Sequence, residues 1–250
     1  MYIIIVLILT AMVILPILMY REANKLNIKH ETVTLPISIN EMTILFVTDI
    51  HKRKIDRNLF QEIPKVDFVI IGGDVCEVGL EPGLLDDNLS TLTSFGKTLF
   101  VWGNNDYEYG EKELNHCLEK HGILALNNDS ITIDGHLGKW TIAGVEDLGQ
   151  ERTNVQQALS NSVGPVLLVA HNPEVAYLLR EEHKNVQAIL SGHTHGGQIR
   201  LGPFSISEKG GWKVKNKFPV LISNGFGTTR IHLRFGAVPE VHLVTIKSDT

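Results

Sequence analysis

The chain has 250 residues, 43% of them hydrophobic and 20% charged, with a formal net charge of −5. That is ordinary globular composition with room for one large core or two small ones, and without a basic excess no nucleic-acid partner is expected. Two cysteines, Cys76 and Cys117, make no disulfide framework in a chain this long, whereas eleven histidines fall repeatedly beside Asp, Asn and Gly.

The first stretch, MYIIIVLILTAMVILPILMY, carries no charged side chain from Met1 to Tyr20. About twenty apolar residues suffice to cross a bilayer as a helix, and Pro16 kinks such a helix without stopping it. A cleaved signal peptide is the rival reading. No Lys or Arg precedes the run and no A-x-A-like site follows it, which favours an uncleaved transmembrane anchor over residues 1–20. Arg21, Lys25 and Lys29 follow the span, so the positive-inside rule places a single-pass protein in the cell membrane with its C-terminal domain on the cytoplasmic side. An exported domain is the alternative. Residues 21–42, mixed and polar with Pro36, read as a linker with room for one strand.

From residue 43 to 250 short β-branched runs alternate with amphipathic stretches. TILFVT (43–48), DFVIIGGD (67–74) and KTLFVWGNND (97–106) predict strands. Between the last two, Leu85, Leu89 and Leu92 have helical spacing, and EKELNHCLEKHG (111–122) predicts a helix stopped by Gly122. The second half adds strands at 131–133, 139–145 and 164–173, a helix from Pro173 in PEVAYLLREEH, and a strand running into SGHTHGGQI. FPVLIS, TTRIHLRF and PEVHLVTI are expected to finish as strands. The alternation is that of an α/β layer fold.

One event recurs at the strand ends. An apolar run stops and a metal-capable side chain follows: Asp49 and His51, then Asp74, then Asn104, Asn105 and Asp106, then His171, then His193 and His195. In open α/β sheets ligands bind outside the carboxyl ends of strands. Each piece alone reads more simply as a turn or cap, but in G-H-x-H-G-G two histidines two residues apart share a face of an extended chain. Carboxylate and amide oxygens mixed with imidazoles, and no sulfur, suit Mn, Fe or Zn.

The series D-x-H, G-D, G-N-x-D, H-N and G-H-x-H resembles the calcineurin-like metallophosphoesterases over residues 43 to 250. SGHTHGGQIRLGP and NGFGTTRIHLRFGAVPE are similar to its bacterial YkuE/YaeI-type phosphodiesterase subgroup. The resemblance implies a four-layer sandwich, two mixed β-sheets flanked by helices, with two divalent metal ions at the sheet edges. It further implies that Asp49, His51 and His195 hold one ion, that Asn104, His171 and His193 hold the other, and that Asp74 bridges them. The expected activity is hydrolysis of phosphodiester or pyrophosphate-type bonds in a phosphorylated small-molecule or lipid-linked substrate.

The sequence departs from the family at one place. Gly-Asn-His-Asp or Gly-Asn-His-Glu is usual, and here Asn105 stands where the family keeps its phosphate-contacting proton donor. An amide donates a hydrogen bond to a phosphate oxygen but delivers no proton. The alternative function is therefore a catalytically weak scaffold that binds metal or a phosphorylated ligand. His116, His121 and His232 are the other histidines open to the donor role. Arg53 either touches substrate or is a solvated loop charge, NGFGTT (224–229) is a phosphate-binding nest or a tight connection, and Arg230 and Arg234, on one face of the expected TTRIHLRF strand, either bind anionic substrate or face solvent.

Overall fold

The computed structural model describes residues 2–202 and 204–249. In chain order its elements are α1 (Tyr2–Ala23), β1 (Asn27–Leu35), β2 (Met42–Val47), β3 (Phe68–Ile71), α2 (Leu84–Thr93), β4 (Lys97–Phe100), α3 (Asn104–Tyr109), α4 (Glu111–Lys120) and β5 (Leu124–Ala125). There follow β6 (Asp129–Gly135), β7 (Gly138–Gly144), α5 (Val155–Leu159), β8 (Val166–Val169), β9 (Val186–Ser191), β10 (Gly211–Lys215), β11 (Phe218–Ile222) and β12 (Glu240–Ser248).

The strands form two mixed sheets, ordered β1-β12-β2-β3-β4-β5 and β10-β11-β9-β8-β7-β6. Alternation along each central strand explains how they stack, since successive side chains leave opposite faces. In β2, Ile44 and Phe46 point between the sheets, where they join Ile70, Leu99, Trp140, Leu167 and Leu190 in one core. Leu45 and Val47 point the other way and pack with Leu85, Leu89 and Leu92 of α2 and Leu114 and Leu118 of α4. The outer face of the second sheet is closed by Val155 and Ala158 of α5 and by Val175 and Ala176. The result is the four-layer sandwich, helix on sheet on sheet on helix. Both central strand sets run parallel, β2-β3-β4 in one sheet and β7-β8-β9 in the other, so each sheet has one edge where carboxyl ends gather.

The 21–42 stretch is structured through most of its length. α1 runs on to Ala23, and β1 pairs in parallel with β12 from Asn27↔Glu240 to Leu35↔Ser248. α1 is a helix long and apolar enough to cross a membrane. Nearly all of it is exposed, but its last turns dock on the domain: Met19 and Ala23 are buried, and Met19 O accepts the Arg234 N–H at 3.1 Å.

Two expected elements differ. The helix from Pro173 is a short 3₁₀ segment, Pro173–Leu178. The expected strand TTRIHLRF does not form: residues 227–234 follow a chain of tight turns, with N–H bonds from Ile231 to Thr229 O and from Leu233 to Ile231 O. The reason is Arg234, which is fully buried rather than on a solvent-facing strand. Its guanidinium donates to the carbonyls of Asn224 (2.7 Å), Ala237 (2.9 Å), Gly227 (2.6 Å) and His195 (3.2 Å), and the chain curls around it. Arg230 is exposed, at φ +62°.

Candidate metal centre

The apolar strands deliver their polar termini to one edge. β2 runs out into Asp49 and His51, β3 into Asp74, and β4 into Asn104, the first residue of α3. From the second sheet, β8 leads to His171 and β9 to His193 and His195. At five of these positions the chain turns sharply on leaving the strand. Asp49, His51, Asp74, His193 and His195 have φ of 55°, 52°, 52°, 70° and 49°, a region that non-glycine residues rarely occupy and that gathers at functional sites.

Two clusters result. Asp49, His51 and His195 offer ligand atoms all within 4.8 Å of one another, and so do Asp49, Asp74 and His171. In the first, His51 Nε2 lies 3.0 Å from His195 Nε2, and His195 Nε2 lies 3.3 Å from Asp49 Oδ1. All three side chains are buried. One oxygen, Asp74 Oδ2, faces both sets, 3.7 Å from His51 Nε2 and 3.3 Å from His171 Nε2. His193 is exposed at the rim. Its N–H donates to both Asp49 oxygens at 3.1 and 3.2 Å, and its ring stands edge-on to His171 with centroids 5.0 Å apart.

Several neighbours fix these groups. The Nδ1 of His171 lies 2.9 Å from Gly72 O, and that of His51 lies 2.9 Å from Glu77 Oε2. An oxygen acceptor keeps the proton on Nδ1 and turns the Nε2 lone pair inward. Asp106 accepts the N–H groups of Asp74 (2.7 Å), Gly103 (2.9 Å) and Cys76 (3.2 Å), tying the β3 and β4 termini together. Gly103 has to be glycine because a Cβ there would meet Asp74 Oδ1 at 2.2 Å, and at Gly73, φ +88°, a Cβ would meet His171 Nδ1 at 2.7 Å. Asn105 clamps Asp74 from the other side, its N–H on Oδ1 and its Nδ2 on Oδ2, both at 2.8 Å.

The electrostatics ask for positive charge. Burial opposes the charged form of His171, but the Asp74 carboxylate outweighs it and raises the imidazole to about 10. Burial likewise works against the Asp74 carboxylate, yet His171, His51 and the Asn105 amide hold it below the usual range. His195 is lowered to about 4 by burial. Burial and then Asp74 push Asp106 up to about 7. Asn104 Oδ1 is buried with no hydrogen-bond partner, an arrangement that disfavours folding by about 1–3 kcal/mol unless a donor or cation meets it. Inward imidazole lone pairs, carboxylates and an orphaned amide oxygen fit a divalent cation.

The structure thus brings Asp49, His51, Asp74, Asn104, His171, His193 and His195 to one edge, with Asn105 beside Asp74. Arg53 lies elsewhere: it is buried, with Nη1 on Phe226 O at 2.5 Å, Nη2 on Lys25 O at 2.9 Å and its guanidinium 4.0 Å from the Phe226 ring centroid. His121 pairs with Asp86, and His232 lies against Thr228 and Asn24. NGFGTT wraps Asp49 as a tight connection, with the Phe226 and Gly227 N–H groups on Thr48 O and Asp49 O. Of two further contributors, one was missed in the sequence and the other assigned to a strand that does not form. Glu77 had only its position three residues after Asp74 to mark it, and Arg234 was masked by an alternating pattern.

The sequence pattern of the calcineurin-like phosphoesterases matches residues 42–197. The uncharacterized protein YpbG of Bacillus subtilis is 40% identical over 237 residues, covering 91% of this chain and 90% of its own. An uncharacterized metallophosphoesterase of Helicobacter pylori is 31% identical over 89% of this chain, which spans 64% of that relative. The phosphodiesterase YaeI of Escherichia coli is 29% identical over 81% of each chain.

Proposed function

The chain belongs to the calcineurin-like phosphoesterases and is a metal-dependent phosphoesterase, and we propose that it works with two divalent cations, Mn, Fe or Zn. Asp49, His51 and His195 would hold one, Asn104, His171 and His193 the other, and Asp74 both. The observation that carries this is the single Asp74 oxygen facing an imidazole of each set, at 3.7 and 3.3 Å. When bound, such a pair polarises a phosphoryl oxygen and supplies an activated water.

The chain's own residues set the rest. Glu77 and Gly72 O aim the His51 and His171 rings, and Asn105 and the Asp106-bound N–H hold Asp74 in place. His193, exposed at the rim, is the ligand nearest to arriving substrate. Asn105 has no proton to give, and its amide already donates to Asp74. General acid catalysis is worth about 10²–10⁴-fold, so substrates whose leaving group departs as a stable anion are favoured: pyrophosphate-type or aryl phosphate bonds over alkyl diesters. α1 serves as a single-pass membrane anchor, and Arg21, Lys25 and Lys29 favour a cytoplasmic domain. The substrate is then a phosphorylated small molecule or a lipid-linked one.

Turnover of a chromogenic aryl phosphodiester with added manganese tests this against Asp74→Asn, with bound metal counted by elemental analysis. Chelation and the substitution should each remove the activity. Activity that survives both sinks the two-metal reading. Metal binding at full stoichiometry without turnover would instead favour the scaffold reading, for which Asn105 is the motivating residue.

A further inference from the structure

Beside the cluster lies a hollow of about 500 Å³, lined by the basic side chains Lys52, Arg53, Lys54, Arg230 and His232, by the acidic Asp56 and Glu77, and by Asn24. Glu77 is common to the two places, with one oxygen 2.9 Å from His51 Nδ1 and the other 3.0 Å from Lys52 Nζ. Among the described residues, Lys54 and Arg230 form no ion pair or hydrogen bond, and both are exposed. Arg230 is also held at φ +62°, a conformation that disfavours a long side chain by about 1 kcal/mol or more and points to a reason for its place.

The hollow sits at the foot of α1. His232 stacks edge-on with Tyr20 at 5.5 Å and meets Asn24 Oδ1 at 3.2 Å, while the next arginine along donates its backbone N–H to Met19. Ile231, 52% exposed, lines the same wall. The neighbouring loop is joined to this segment by the Ile199–Phe235 bridge and shows Leu201, Phe204 and Ile206 at 64%, 77% and 95% exposure. The exposed Ile231, two unpaired cations and the foot of an apolar helix therefore meet at this hollow, with a further exposed apolar loop joined to the same segment. Such a face suits the boundary of a bilayer, where apolar side chains enter the acyl region and Lys and Arg meet phosphates.

We propose that this hollow is a headgroup site for an anionic phospholipid, with its phosphate between Lys54 and Arg230 and its glycerol end toward Ile231 and the exposed Leu201, Phe204 and Ile206. It rests on the reading of α1 as a membrane anchor and deepens the substrate reading, because Glu77 borders both the hollow and the cluster, so a phosphoester held in the bilayer would lie next to the cluster.

The test is native mass spectrometry of the full chain in detergent micelles, titrated with phosphatidylglycerol or phosphatidylcholine. One phosphatidylglycerol should be retained in preference to phosphatidylcholine. Lys54→Glu with Arg230→Glu should weaken it by about 30-fold, while Lys184→Glu with Lys217→Glu on the other sheet should not. Arg230→Gly removes one charge and suits the positive φ, so it should weaken binding in a protein at least as stable. Equal retention of the two lipids, or retention unchanged in both Arg230 variants, overturns the site. Displacement by sn-glycerol phosphate at the lipid's own concentration overturns the lipid in favour of a soluble phosphate ester. Failure of the anchor reading is separate: the chain would then stay soluble after membranes are sedimented.

Discussion

The two halves of the cluster are built differently. Asp49, His51 and His195 are buried, and both histidine rings have a charged side chain behind them, Glu77 at 2.9 Å from His51 Nδ1 and Arg234 at 3.4 Å from His195 Nδ1. On the other side only His171 is comparably held, by a backbone carbonyl. His193 stands exposed, and the Asn104 oxygen has no partner. The first half is preorganised and shut, so its cation should exchange slowly. The second half is open on one side, which is where a substrate oxygen can enter. On the proposed ligand assignment, a divided construction of this kind would let one ion act as structure and the other as the working position.

The most severe way to break the contrast is through Arg234. Arg234→Met leaves the carbonyls of Asn224, Gly227, Ala237 and His195 without their donor. Unsatisfied buried groups cost about 1–3 kcal/mol each, so a loss of at least about 3 kcal/mol is expected in denaturant unfolding. An unchanged midpoint would show that the shut half does not depend on its backing. Asn105→His restores a proton donor on the open side. Alkyl phosphodiester turnover should rise by about 10²-fold and aryl turnover much less, and steady-state rates on the pair of substrates read the difference.

Glu77→Gln sharpens the comparison, because of the two halves of the cluster Glu77 touches only the enclosed one. Metal affinity at one of two sites should fall by about 10–100-fold, as expected when a histidine ligand loses its carboxylate partner. Isothermal titration should resolve one weakened site and one unchanged site, and two equally weakened sites would contradict the division. The smallest effect lies in the first sheet, away from both halves. Burial opposes charge on His242, but Glu240 and Glu31 raise its pKa, and those carboxylates are lowered in turn. The histidine's contribution is complete below its unfolded value of 6.5 and is lost as pH rises through its raised folded value. The carboxylates contribute above 4.5 and lose that as pH falls through their lowered values. His242→Gln should therefore reduce Tm more at about pH 6 than at about pH 9, and thermal melts at the two values check it.

The gathering of the candidate site was legible because a buried parallel strand followed at once by Asp, Asn or His is an unusual local pattern, and seven such residues recur in one order. The helices over 84–93 and 111–120 were legible from leucine spacing alone. β1 was hard to see because it is an edge strand, half exposed, whose partner lies at the other end of the chain. The 227–234 segment misled because Ile231 and Leu233 alternate with polar residues as strand residues do, while a buried guanidinium decides its course. Asn105 was legible as a departure from the family, but its hold on Asp74 depends on a side-chain orientation that no spacing encodes.

The place of β12 carries a consequence for biosynthesis. It lies between β1 and β2, pairing with one in parallel and the other antiparallel. A ribosome adding about 5–20 residues each second has long since released both early strands when residues 240–248 emerge. Until then β1 has no neighbour in its sheet and the flank of β2 is an open hydrogen-bonding template, the kind of edge that recruits other chains. The newborn protein is thus exposed to misassembly from the release of β2 onward, and that hazard ends only when residues 240–248 slot in.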